Sequence, residues 1–184
     1  MNLFRKFIII SLIFFISGNY SCTNHKQPSL KPGIGFFFGK TYNYNDILVK
    51  RVIDGDTLQL ENGQRVRLIG IDTPEMHQSD KLYKDSQRTK KDIITIKQLG
   101  IKAYEFTRNL VEDKRVRLEF DVERYDKYGR LLAYVYLKDG TFVNAEIIKE
   151  GYANLMTVPP NVKYAQLFLR LYQEARQNKR GLWK

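Results

Sequence analysis

Asp56, Arg67, Asp72 and Glu75 crowd one stretch of this 184-residue chain, Arg51 to Glu75, RVIDGDTLQLENGQRVRLIGIDTPE. Asp56 is the second acid of the string DGDT, while Asp72 and Glu75 bracket Thr73-Pro74 after the apolar run LIGI. Carboxylates at two strand ends, brought together by a small barrel, make an oxygen-only site of high negative charge. Hard cations such as Ca²⁺ take carboxylate, carbonyl and water ligands, and Ca²⁺ accepts irregular geometry more readily than Mg²⁺. Arg65 and Arg67 alternate with Val66 and Leu68, so both project from one face of their strand. Arg67 then reaches the mouth that holds Asp72 and can bind a phosphoryl oxygen as a planar fork. Each piece also has a plainer reading. Asp54-Gly55-Asp56 suits an ordinary turn, the two arginines suit a solvated strand face, and Tyr125-Asp126-Lys127-Tyr128-Gly129-Arg130 suits a polar hairpin with Gly129 left-handed.

The elements that must position these residues are short. From Asp46 the runs ILVKRVI, LQL and QRVRLIGI read as strands, and Asn62-Gly63 is a two-residue hairpin signal because both turn positions favour positive φ. Two further strands are expected over Arg115 to Val122 and Leu131 to Lys138, the second closed by Asp139-Gly140. Helical spacing marks Ile101 to Val111, Phe142 to Lys149 with Gly151 as its cap, and Tyr164 to Gln177. The lysine-rich stretch Met76 to Leu99 reads as a long surface excursion, and Leu182 with Trp183 as a terminal hydrophobic plug. Five short strands with one helix after the third and two at the end suit a small Greek-key barrel, an α+β architecture.

The formal charge of +11 points to polyanions, with nucleic acid first, since a basic surface supplies sequence-independent phosphate affinity. Residues 1–21 carry Arg5 and Lys6 ahead of the apolar run Phe7 to Ile16, the pattern of an export signal too short to span a bilayer. Without their two basic residues the remainder keeps 11 − 2 = +9. Residues 22–45, bearing Pro and Gly and the run GIGFFFGK, read as a tether with Phe36 to Phe38 available to pack on the domain of residues 46–184. Cys22 stands directly after the signal, where bacterial lipoproteins carry their acylated residue, so membrane attachment through a lipid and ordinary secretion are both open. As the only cysteine, it excludes an intrachain disulfide framework and a cysteine-based zinc site.

Taken together, the strings VIDGDTLQL, VRLIGIDTPE, DKYGRLLAYVYLKDGTFVNAEIIKEGYA and KRGLW closely resemble the staphylococcal nuclease family, in the family's order, over roughly Ile47 to Trp183. The resemblance implies a five-stranded OB-fold barrel with three helices, acting as a monomer on DNA and RNA. It further implies Asp56, Asp72 and the backbone carbonyl of Thr73 as Ca²⁺ ligands. Arg67 and Arg130 become the pair that binds phosphate and stabilises the transition state, and Glu75 orients or deprotonates the attacking water. Asp54 becomes an outer acid and Tyr128 a wall of the nucleotide pocket. The implied activity is an exported, Ca²⁺-dependent, sugar-nonspecific nuclease leaving 3′ phosphates and 5′ hydroxyls. A catalytically silent module that binds nucleic acid or an envelope polyanion is the alternative, and would be expected to have lost part of this residue set. One departure concerns the family's tyrosines after the second helix, since Thr157 and Pro159 stand roughly in their places within NLMTVPPNVKY. Mass spectrometry of the mature protein separates anchoring from secretion: a lipid on Cys22 in the first case, an unmodified N terminus in the second.

Overall fold

The computed structural model describes residues 42–90 and 92–184, so the expected signal, Cys22 and Phe36 to Phe38 lie outside the described residues. Five strands, β1 (Ile47–Asp54), β2 (Thr57–Leu60), β3 (Arg65–Leu68), β5 (Arg115–Glu119) and β6 (Leu131–Leu137), close a barrel in the order β1-β2-β3-β6-β5. All neighbours are antiparallel except β3 and β6. A parallel pair needs a long crossover, and helices and β5 occupy that connection. Alternation places Val49, Leu58, Leu60, Val66, Leu68, Val116 and Ala133 inside. A hairpin forms at Asn62-Gly63, with Leu60 donating to the Gln64 carbonyl at 2.9 Å and Gly63 at φ 85°, but Asn62 is not at positive φ and three residues, Glu61 to Gly63, make the loop in place of the two-residue turn expected.

The run QRVRLIGI does not continue as one strand. Gly70, at φ 84°, breaks it, and the Phe168 ring fills the space a side chain would need there. The remainder, β4 (Gly70–Asp72), pairs instead with β7 (Asn154–Met156), setting Asp72 opposite Asn154 and Gly70 opposite Met156.

Among the described residues there are four α-helices: α1 (Asp80–Thr89), α2 (Ile93–Val111), α3 (Val143–Lys149) and α4 (Ala165–Gln177). The three expected helices are among them, with a different start for α2. The stretch read as an excursion is largely helical, which corrects that expectation. Ser79 caps α1 by accepting from the Leu82 amide at 3.2 Å, and Asp92 caps α2 by accepting from the Thr95 amide at 2.8 Å. Leu82 and Ile96 are buried, yet so few apolar residues lie among the lysines that no 3.6 period stands out. The buried stripe of α2 is Ile96, Gly100, Ala103, Thr107 and Val111, and Ile101, expected on it, is exposed. At the C terminus Leu182 is buried, and Trp183 meets Tyr172 edge-on at 5.4 Å, the plug that the tail suggested.

A buried polar group ties the barrel to its added layers. Asn144, at the start of α3, accepts from the Val135 amide at 3.0 Å and donates to the carbonyl of Ile69 at 2.9 Å. Its side chain therefore joins β6 to the segment leading into β4. Removing one partner of a buried hydrogen bond leaves the other unsatisfied, at a cost of about 1–3 kcal/mol each. Asn144→Leu should accordingly lower the unfolding free energy by several kcal/mol in urea titration at an unchanged m-value, and a wild-type midpoint would refute the tie.

Candidate active site

The turn between β1 and β2 delivers Asp56, which is only 3% exposed. A buried carboxylate must be paired and hydrogen-bonded, and this one is. One oxygen is ion-paired with the Arg67 guanidinium and accepts from the Thr57 hydroxyl at 3.1 Å. The other accepts from the Thr73 amide at 2.9 Å and the Thr73 hydroxyl at 3.0 Å. Asp56 thereby locks the exit of β4 to the first hairpin. Arg67 reaches from β3 to a second carboxylate, Asp72, at 3.1 Å, and the same nitrogen lies 3.6 Å from the Met156 sulfur. Burial pulls the guanidinium below its usual pKa and the Arg130 charge acts in the same sense, while Asp72 and Asp54 oppose them. The group stays cationic throughout, because a guanidinium does not deprotonate in proteins.

Two glycines let the surrounding elements close on this cluster. A Cβ on Gly55 would lie 2.8 Å from the Thr73 hydroxyl oxygen, so the DGDT turn can seat against Thr73 only with glycine there. The Thr107 hydroxyl, from α2, holds the Gly55 carbonyl at 2.7 Å. Gly100, buried in α2, has the Glu75 carbonyl and the Met76 nitrogen where a Cβ would come within 2.8 Å. Glycine inside a helix costs about 1 kcal/mol relative to alanine, and here it lets α2 rest against the Glu75 backbone. The Glu75 carboxylate accepts from the His77 amide at 3.2 Å.

Arg130 arrives on the turn before β6, the strand paired in parallel with β3. Asp126 organises that turn, accepting from the amides of Tyr128 and Arg130, each at 2.9 Å, and from Arg130 Nε at 2.7 Å. Burial pushes the Asp126 carboxyl up, but these donors outweigh it and hold it below the usual carboxylate range. Arg67 and Arg130 both line a cavity of about 540 Å³ whose walls include Tyr125, Tyr128, Met156 and Val158. Tyr128 is exposed, its ring 5.5 Å from the Arg130 guanidinium.

The structure thus brings Asp56, Arg67, Asp72 and Thr73 into one hydrogen-bonded cluster and turns Arg130 and Tyr128 onto the adjoining cavity. Asp54 accepts from the Gly55 amide at 2.8 Å and acts on Arg67 through its charge. Glu75 leaves the same strand end and rests on α2. Where Thr157 and Pro159 were noted in place of tyrosines, the side chains reaching the cavity are Met156 and Val158, with Tyr125 supplying a second aromatic wall. Sequence reasoning missed these, along with Gly100 and Asp126. The i,i+4 spacing of Asp126 and Arg130 was the one signal available.

A hard cation suits this donor set. Asp56 and Asp72 already share one cation, the Arg67 guanidinium, and every donor is oxygen. Among the described residues no three His, Cys, Asp or Glu side chains form a ready metal cage, so a site here has two carboxylates and draws on backbone and water for the rest.

The family model for the staphylococcal nuclease homologue matches residues 65–184, a span that includes Arg67, Asp72, Glu75 and Arg130. Over 140 residues the chain is 44% identical to the thermonuclease of Staphylococcus intermedius, covering 74% of this chain and 75% of that protein. The thermonuclease of Staphylococcus hyicus is 36% identical over 138 residues, 73% of either chain. Endonuclease YncB of Bacillus subtilis is 38% identical over 143 residues, 75% of this chain and 61% of its own.

Removing one partner of a buried ion pair strands the other charge, at a cost of about 3–5 kcal/mol. Asp56→Ala, which also takes the acceptor from the Thr73 amide, should lose stability on that scale in urea unfolding. A loss under about 1 kcal/mol would place Arg67 among exposed ion pairs instead.

Proposed function

The chain belongs to the staphylococcal nuclease family, and on that footing we propose that it is an exported, Ca²⁺-dependent nuclease cutting DNA and RNA to 3′-phosphate and 5′-hydroxyl products. The observation that carries this reading is the placement of Arg67 and Arg130 on one cavity, with two carboxylates behind the first arginine. Export rests on the basic and apolar pattern of residues 1–21, and Cys22 offers a point of lipid attachment. The product polarity follows from family resemblance.

A phosphodiester resists attack because its negative charge repels nucleophiles and grows as phosphorus becomes five-coordinate. Two guanidinium forks aimed at the non-bridging oxygens meet that charge from fixed positions, and charge-assisted pairs of this kind are roughly twice as strong as neutral hydrogen bonds. Arg130 is held in place by Asp126, while Arg67, ion-paired here with Asp56 and Asp72, would turn its fork to the phosphate where those carboxylates hold a cation. Glu75 orients a water and accepts its proton as the water oxygen bonds to phosphorus. The bond to the 5′ oxygen breaks, and that oxygen takes a proton from solvent. Asp56 and Asp72, with the Thr73 carbonyl, would hold Ca²⁺. When bound, the ion polarises a phosphoryl oxygen as a Lewis acid.

Cleavage of single-stranded DNA and of RNA should require Ca²⁺ and stop with a chelator, and activity that survives chelation would sink the metal assignment. Glu75→Ala should slow turnover by about 10²–10⁴-fold, the range of general acid–base contributions. Arg67→Lys keeps the charge but loses the fork, so it too should lose orders of magnitude in turnover while the folded state persists by circular dichroism. Wild-type rates in either variant would overturn the assigned role.

A further inference from the structure

Adjoining the 540 Å³ cavity lies a second, open cleft of about 470 Å³, lined by Gly63, Gln64, Arg65, Tyr128, Gly129 and Arg130. Tyr128 and Arg130 border both spaces. Neither Gly63 nor Gly129 has any atom within 4 Å of where a Cβ would stand, so two bare turns leave the cleft unobstructed. Arg65 is exposed and, among the described residues, forms no ion pair. Most arginines of the barrel are matched by an acid: Arg67 by Asp56 and Asp72, Arg115 by Asp46, Arg117 by Glu119, Arg130 by Asp126.

The register continues this cationic surface. Arg65 lies two residues from Arg67 on the outward face of β3, about 6.6–6.8 Å along the strand, a spacing comparable to that of phosphates on an extended single strand. Across the sheet Arg65 pairs with Gln59, and Gln59 with Arg51, whose Nε donates to the Gln59 amide oxygen at 2.6 Å. Arg51 is therefore oriented by a neutral group and keeps its full charge on the same exposed face.

We propose that the cleft between Arg65 and Arg130 is a second phosphate subsite, which takes a neighbouring phosphodiester of the strand whose scissile phosphate lies at Arg67, and that Arg51 extends this track across the barrel. Tyr128 separates the two phosphates and offers its ring to the intervening nucleotide. The occupant is a single nucleic-acid strand, because the step from Arg67 to Arg65 matches the spacing of phosphates along one strand and the cations stand singly. The proposal rests on the nuclease reading for its substrate, yet the cleft is tested by binding alone.

The experiment measures fluorescence anisotropy of a labelled oligothymidylate in the presence of chelator, over a series of KCl concentrations, for wild type, Arg65→Gln and Arg65→Lys. Each phosphate contact on a single strand contributes about 0.7 to the slope of log affinity against log salt. Arg65→Gln should weaken binding several-fold and flatten the slope by that amount, and Arg65→Lys should restore most of the slope. A dinucleoside with a single phosphodiester should lose proportionally much less affinity than the oligonucleotide. Equal losses on both ligands, or identical slopes for wild type and Arg65→Gln, would overturn the subsite. Arg65-dependent slopes in a protein that cleaves nothing would remove the nuclease reading and leave the cleft, whereas cleavage with Arg65-independent slopes would do the reverse.

Discussion

A guanidinium keeps its proton even where water is scarce, so Arg67 must be met by carboxylates wherever the barrel puts it. That one constraint accounts for much of the architecture around it. Asp56 comes from the first hairpin and Asp72 from β4, a strand that has left the barrel to pair with β7. Asp56 also receives the Thr73 amide and hydroxyl, which fixes the direction in which the chain departs toward Glu75. Had β3 run on without the break at Gly70, Asp72 would not stand where it does.

The site is accordingly built from separately stabilised pieces. Asp126 orders the turn that carries Arg130, through its own amide and guanidinium contacts. The backbone of Glu75 lies on α2, where Gly100 permits an approach that any side chain would block. Asn144 joins the barrel to the layer holding β4. The two arginines are oriented by different local devices, and their convergence on one cavity follows from the parallel pairing that sets β3 beside β6.

Surface charge is distributed unevenly over this frame. Several barrel arginines have acidic partners close by, which moderates the net excess of positive charge over much of the surface. Arg65 and Arg51, which lack such partners among the described residues, sit on the face next to Arg67. A polyanion would meet these cations beside the place where the scissile bond has to lie.

The amino-acid sequence by itself determined the strands, their turns and the acidic stretch, because those signals are local: period-two alternation, Asn62-Gly63, and a proline after Asp72-Thr73. Motif strings such as DGDT, IDTPE and DKYGR made the fold class and the residue set of the site legible before any geometry. It could not show α1, whose two apolar residues, Leu82 and Tyr83, are diluted among charged ones and whose helix depends on the cap at Ser79 and on burial of Leu82. Nor could it show that QRVRLIGI divides at Gly70, that Met156, Val158 and Tyr125 wall the cavity, or that Gly100 underlies Glu75. Those outcomes are decided by which segments meet across the barrel, and proximity between residues distant along the chain carries no local period for a sequence to display.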